Sequence, residues 1–180
     1  MSQLLFISGS LRSGSTNSAV LLTAAEMVPK GIGSDIYGGL AQLPAFNPDD
    51  DHAPLSEPVA ALRNSVHRAD AILFCTPEYA GALPGSLKNL LDWLIGDEQA
   101  GSIYEKPVGW INSSPRGAEG AHDELRTVMT YAHARIVEPA CVRVPVTRED
   151  VGSDGLLTAE ESRTALAQAV AALGDITQSG

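Results

Sequence analysis

Apolar residues along this chain keep two alternating rhythms. Leu4–Ile7 is an unbroken apolar run that leads into a Ser- and Gly-rich loop, and ADAILFCTP at 69–77 holds four buried-type residues ended by a proline. That pattern reads as strands covered on both faces. Between them the period lengthens to that of a helix: Val20, Ala24 and Met27 share a face over about 16–27, and Val59, Leu62 and Val66 mark the next. Leu87, Leu90, Leu91, Leu94 and Ile95 fill the i, i+3, i+4, i+7, i+8 template and predict a helix over 86–95. A weaker strand is expected at 34–37, with others at 107–114 and 135–144. Leu125, Val128, Met129 and Ala132 mark a fourth helix, and Leu166, Ala169, Val170 and Leu173 a fifth. Thr158 and Glu161 have the spacing of a capping box for that last helix. Residues 38–55, with three prolines and the run Asp49–Asp51, read as a long surface loop.

Five strands alternating with five helices predict an α/β fold, a doubly wound five-stranded parallel sheet with helices on both faces, in one domain over 1–180. Ligands of such sheets sit outside the carboxyl ends of the strands. That brings the loops 8–16, 76–85 and 112–121 together.

Composition narrows the chemistry. A hydrophobic content of 44% and a charged content of 19% are ordinary for a globular protein. The net charge of −10 disfavours nucleic acid and anionic membrane as partners, since phosphate fields repel it. No apolar stretch approaches the roughly 18 residues of a membrane span, and no basic region precedes the first apolar run as in a secretory signal. Cys75 and Cys141 lack CxxC spacing, which fits a reducing cytoplasm. His52, His67, His122 and His133 lack metal-ligand spacing, and GxSxG is absent. Cys75, inside a strand, reads as a small hydrophobe, and the aspartate run as a solvated turn.

The first loop carries the sharper signal. Gly9, Gly14 and Thr16 have nearly the spacing of a nucleoside-triphosphate loop, but Ser15 stands where the phosphate-binding lysine belongs, and GxGxxG is missing. Short hydroxyl donors plus Arg12 ahead of a helix N-terminus suit a terminal monophosphate instead.

GSLRSGSTN at 9–17 resembles the phosphate loop GSLRxxSxN of the NADPH-dependent FMN reductases, and PEYAGALPGSLKNLLDWL at 77–94 resembles that family's second signature. The resemblance implies a flavodoxin-like three-layer sandwich holding FMN, with NADPH or NADH as co-substrate. By position, Ser10, Arg12, Ser15, Thr16 and Asn17 would surround the FMN phosphate. Pro77, Glu78 and Tyr79 would run along the ring, and Ser113, Ser114 and Gly117 would approach the ribityl chain or ring. No side chain is expected to act as a catalytic acid or base, because the flavin carries the chemistry. Lys88 and Asp92 read as an i, i+4 pair, Trp93 as an interface residue, and Arg116 as a solvated loop cation. The implied reaction is ping-pong hydride transfer from NAD(P)H to FMN and on to a quinone, azo compound, metal oxyanion or free flavin. The resemblance also suggests a homodimer or homotetramer, and the apolar surface of the 86–95 helix points the same way. The rival reading is a flavodoxin-type electron carrier that binds FMN without oxidising NADPH directly.

Overall fold

The computed structural model describes residues 2–178. Its strands are β1 (Gln3–Ser8), β2 (Gly33–Tyr37), β3 (Ala71–Cys75), β4 (Pro107–Asn112) and β5 (Arg135–Arg143). They form one sheet of order β2-β1-β3-β4-β5, parallel throughout. The helices are α1 (Thr16–Glu26), α2 (Glu57–Arg68), α3 (Gly85–Ile95), α4 (Glu119–Tyr131) and α5 (Glu160–Gln178). This is the three-layer, flavodoxin-like arrangement expected from the alternation of periods.

Side chains of a strand alternate between faces, so each run of apolar residues feeds two cores. Leu4, Phe6, Ala71, Leu73 and Cys75 pack against α1 and α5, while Leu5, Ile7, Ile72 and Phe74 pack against α2, α3 and α4. The central strands are apolar throughout because neither face meets water. The chain runs from β1 outward to β2, then crosses back to place β3 on the other side of β1. Crossovers diverge at the carboxyl ends of β1 and β3, and a crevice opens there.

Several expectations are corrected. The 69–77 stretch contributes a strand only over Ala71–Cys75, and Met27 caps α1 instead of joining its buried face. Residues 38–55 contain two 3-10 turns, Leu40–Gln42 and Pro48–Asp50, and pack on the body of the fold. Asn89 accepts from the Phe46 N–H at 2.7 Å and donates to the Pro44 carbonyl at 2.9 Å. Trp93 is 2% exposed, donates to the same carbonyl and meets Phe46 edge-on at 5.0 Å, so it is core and not surface in this chain. Leu87, Leu90, Leu91 and Leu94 are buried as well, and α3 has no surplus apolar face to argue for a partner. Asp51 is no solvated turn residue: both its carboxylate oxygens lie within 2.9 Å of the buried Arg63, which also donates to the Trp93 carbonyl. Thr158 makes no capping box, since its hydroxyl donates to the Asp150 carbonyl. A capping box occurs earlier, between Thr147 and Asp150. Lys88 and Asp92 do pair along α3.

Candidate cofactor site

The first loop leaves β1 pinned to its neighbour strand, with the Gly9 N–H donating to the Cys75 carbonyl at 2.9 Å. A Cβ on Gly9 would lie 2.3 Å from Thr76 Oγ1, so only glycine lets the first two loops meet this closely. Hydroxyls then fold the loop on itself: Ser8 Oγ accepts from the Ser10 N–H and Ser10 Oγ from the Arg12 N–H. Ser15 caps α1 by accepting from the Ser18 N–H at 3.1 Å. The N–H groups of Thr16 and Asn17, at the first two helical positions, have no partner among the described residues. Unsatisfied donors at the positive end of a helix dipole select an anion.

The second loop runs Thr76–Pro77–Glu78 into a two-residue turn. Tyr79 and Ala82 exchange backbone hydrogen bonds at 3.0 and 3.1 Å. Ala80 and Gly81, at φ 53° and 79°, supply the two left-handed residues that such a mirror-image turn requires. Glu78 is committed to structure, because its carboxylate accepts from the Ala121 N–H in the first turn of α4 at 3.1 Å. Glu124 of α4 returns the contact by accepting from the Leu83 N–H at 2.7 Å. The second and third loops thereby brace each other. In the third loop Asn112 accepts from the Ser114 N–H and donates to the Gly117 carbonyl, after which Gly117 and Ala118, both at positive φ, turn the chain into α4.

Between the three loops lies a cavity of about 470 Å³ lined by Arg12, Thr16, Asn17, Thr76, Pro77, Glu78, Ser113, Ser114, Pro115, Arg116 and Ala118. Seven of the eleven residues expected at the site line it: Arg12, Thr16, Asn17, Pro77, Glu78, Ser113 and Ser114. The other four stand close by in supporting positions. Ser10 and Ser15 spend their hydroxyls on the loop and the helix cap. Gly117 serves the third loop's turn, and Tyr79 projects from its own turn at 49% exposure. Sequence reasoning passed over Thr76, Pro115 and Ala118; their place in the loops that follow β3 and β4 was the available signal. Arg116 is exposed yet lines the cavity, so it is more than a stray loop cation.

The local field opposes the overall charge. In a chain of −10 with 12 lysines and arginines, Arg12 and Arg116 line this cavity. Arg143 reaches the Pro115 carbonyl, and Arg148 flanks Ser13, Gly14 and Thr16. Beneath the loops Cys75 is fully buried, and burial pushes its thiol up to about 12, so it is no nucleophile. The lining holds neither histidine nor cysteine, and its one carboxylate caps a helix. Such a site can grip a phosphomonoester and seat a planar group, and it leaves the reactive atoms to a cofactor.

Comparison with known proteins decides which cofactor. A family model described as NADPH-dependent FMN reductase matches residues 2–147. The chain belongs to that family. An NAD(P)H-dependent FMN reductase of Pseudomonas aeruginosa is 32% identical over 173 residues, which cover 95% of this chain and 92% of that protein. A quinone reductase of Escherichia coli is 30% identical over 141 residues, covering 75% and 73% respectively. The solved structure of FerB, a flavoenzyme NAD(P)H:(acceptor) oxidoreductase from Paracoccus denitrificans, superposes with a TM-score of 0.85 at 24% identity over 99% of this chain and 98% of its own, a likeness of fold. As a member of the family the chain is an FMN-dependent NAD(P)H oxidoreductase.

Proposed function

We propose that the cavity between the three loops seats FMN, phosphate toward α1 and ring along Pro77–Tyr79, and that the protein uses NAD(P)H to reduce a small acceptor of the quinone class. The observation that carries this is the pair of unpartnered N–H groups at Thr16 and Asn17, with Arg12 beside them on the same cavity. The volume of about 470 Å³ lies within the ~300–1,000 Å³ range of small-molecule sites. FMN bound there would supply the hydride-accepting and electron-donating chemistry. The chain's own part is to bind and orient. Thr16 and Asn17 hold the phosphate through backbone N–H groups, and Arg12 adds a charge-assisted fork. Glu78, tied to α4, keeps the Pro77–Glu78 backbone rigid against the ring. Tyr79 of the second loop and Leu11 of the first, at 49% and 56% exposure, are apolar side chains available to nicotinamide and acceptor. The quinone class follows the names of relatives at 31% and 30% identity. A cytoplasmic location and a homodimer or homotetramer complete the reading.

The electron-carrier reading fits less well, because carriers of that type clamp the flavin with aromatic side chains, and no aromatic residue lines this cavity. The deciding experiment is spectroscopic. Full-length protein supplemented with FMN should be yellow, bleach on anaerobic addition of NADPH or NADH, and regain colour on addition of a benzoquinone. Protein that binds FMN but is bleached only by dithionite would be a carrier. Protein that ignores FMN in a titration would refute the site itself.

A further inference from the structure

Asn17 is 6% exposed, and its carboxamide oxygen is taken up from below. Cys75 Sγ donates to Oδ1 at 3.2 Å, nearer than its other acceptor Ser113 Oγ at 3.8 Å, and Ser113 Oγ donates to the same Oδ1 at 3.1 Å. A carboxamide accepts only at its oxygen and donates only at its NH2. With the oxygen occupied inward, the NH2 must face the other way. Nδ2 has no partner among the described residues, and it is not sealed from solvent as the Tyr37 hydroxyl and His122 Nε2 are. Asn17 lines the cavity, so the opening in front of Nδ2 is the cavity itself. The three residues come from α1, from the end of β3 and from the loop after β4. Cysteine suits the middle position. Its side chain lies in the same buried apolar cluster as Leu4, Phe6 and Leu73, and its raised pKa of about 12 keeps the S–H in place as a donor.

We infer that Cys75 and Ser113 are positioning residues that hold the Asn17 carboxamide with its oxygen inward and its N–H groups toward the phosphate end of the cavity. This rests on the FMN reading above and adds to it the buried pair that decides which face of Asn17 the phosphate meets. Without these donors the amide is free to turn over, and a carbonyl oxygen would then oppose the phosphate oxygens.

The test titrates the full chain with FMN and with riboflavin, which shares the ring and ribityl chain but lacks the phosphate. Loss of one neutral hydrogen bond predicts that Cys75→Ala weakens FMN by about threefold to tenfold and leaves riboflavin within about twofold. Cys75→Ser, which keeps a donor, should bind FMN like the wild type. In an Asn17→Ala background Cys75→Ala should cost FMN nothing further, because the group it orients is gone. Ser113→Ala, outside the strand, should show the same dependence on Asn17 and carries the test should Cys75→Ala fold poorly. Equal weakening of both flavins, a serine variant no better than alanine, or a Cys75 effect that persists without Asn17 would each overturn the inference while leaving the site intact. Unchanged FMN affinity in Asn17→Ala would do the same. A wild type that binds neither flavin overturns the reading beneath it and this inference together.

Discussion

Replacing Gly9 by alanine probes the closest contact between the first two loops. An added Cβ would lie 2.3 Å from Thr76 Oγ1, 2.8 Å from Thr76 Cβ and 3.0 Å from Leu87 Cδ2. All three are well inside the ~3.5–4.0 Å of a comfortable carbon contact. None of these atoms can easily retreat. Thr76 is 1% exposed with its hydroxyl donating to the Pro77 carbonyl at 3.0 Å, and Leu87 is fully buried. The loops must separate, at the cost of overpacking, about 1–3 kcal/mol. The φ of Gly9 is not in the left-handed region, so alanine also gains about 0.4–1 kcal/mol by narrowing the unfolded ensemble. Taking the middle of both ranges, the balance is a destabilisation of about 1–2 kcal/mol. At roughly 2–4 °C per kcal/mol for a chain of this size, Tm should fall by about 2–8 °C. Because Thr76 lines the cavity, FMN affinity should fall as well. Thermal unfolding of the FMN-free chain and an FMN titration measure the two effects separately. Adding Thr76→Ala removes the shortest contact, and the double variant should be less destabilised than the sum of the singles. A Gly9→Ala protein as stable as the wild type, with unaltered FMN affinity, would refute this account of how the loops meet.

Within the run Asp49–Asp51 the structure predicts unequal costs. Asp51→Ala strands the buried Arg63 and should cost about 3–5 kcal/mol in urea unfolding, while Asp49→Ala, at an exposed position, should stay within about 0.5 kcal/mol. Equal effects would show that the Arg63 contact contributes nothing. Stability should also decline in alkali. Burial raises Cys75 from 9.0 to about 12, Cys141 from 9.0 to about 11 and Tyr37 from 10.0 to about 12. The unfolded chain sheds these protons first, so their contribution is complete below about pH 9 and is lost as pH rises toward 12. Lys106, lowered by burial, works in the opposite direction in the alkaline range. Urea midpoints measured from pH 8 upward should therefore fall, and the slope should be shallower in Cys75→Ser; an unchanged slope in that variant would contradict the assignment.

Much of this molecule was legible in its order of residues. Apolar runs such as Leu4–Ile7 become strands wherever both faces are covered, and the period of Leu87–Ile95 admits only a helix. The loop 8–16 could be recognised as an anion site because capping hydroxyls, Arg12 and a helix start are neighbours in sequence. Contacts between distant residues could not be read. Asp51 looked solvated until α2 laid Arg63 beside it, Trp93 looked like an interface residue until the 38–55 loop folded over it, and Thr158 turned from its expected cap to Asp150.

By itself, then, the sequence determined the alternation of strand and helix, the parallel sheet and the three loops at its carboxyl edge, because local periodicity and capping act over a few residues. The tertiary structure alone decided that Asn17, Cys75 and Ser113 meet, 58 and 96 positions apart, and which face of a carboxamide the cavity sees. A side chain's hydrogen-bond partner depends on which segments pack together in space, and that is settled only when both cores have closed.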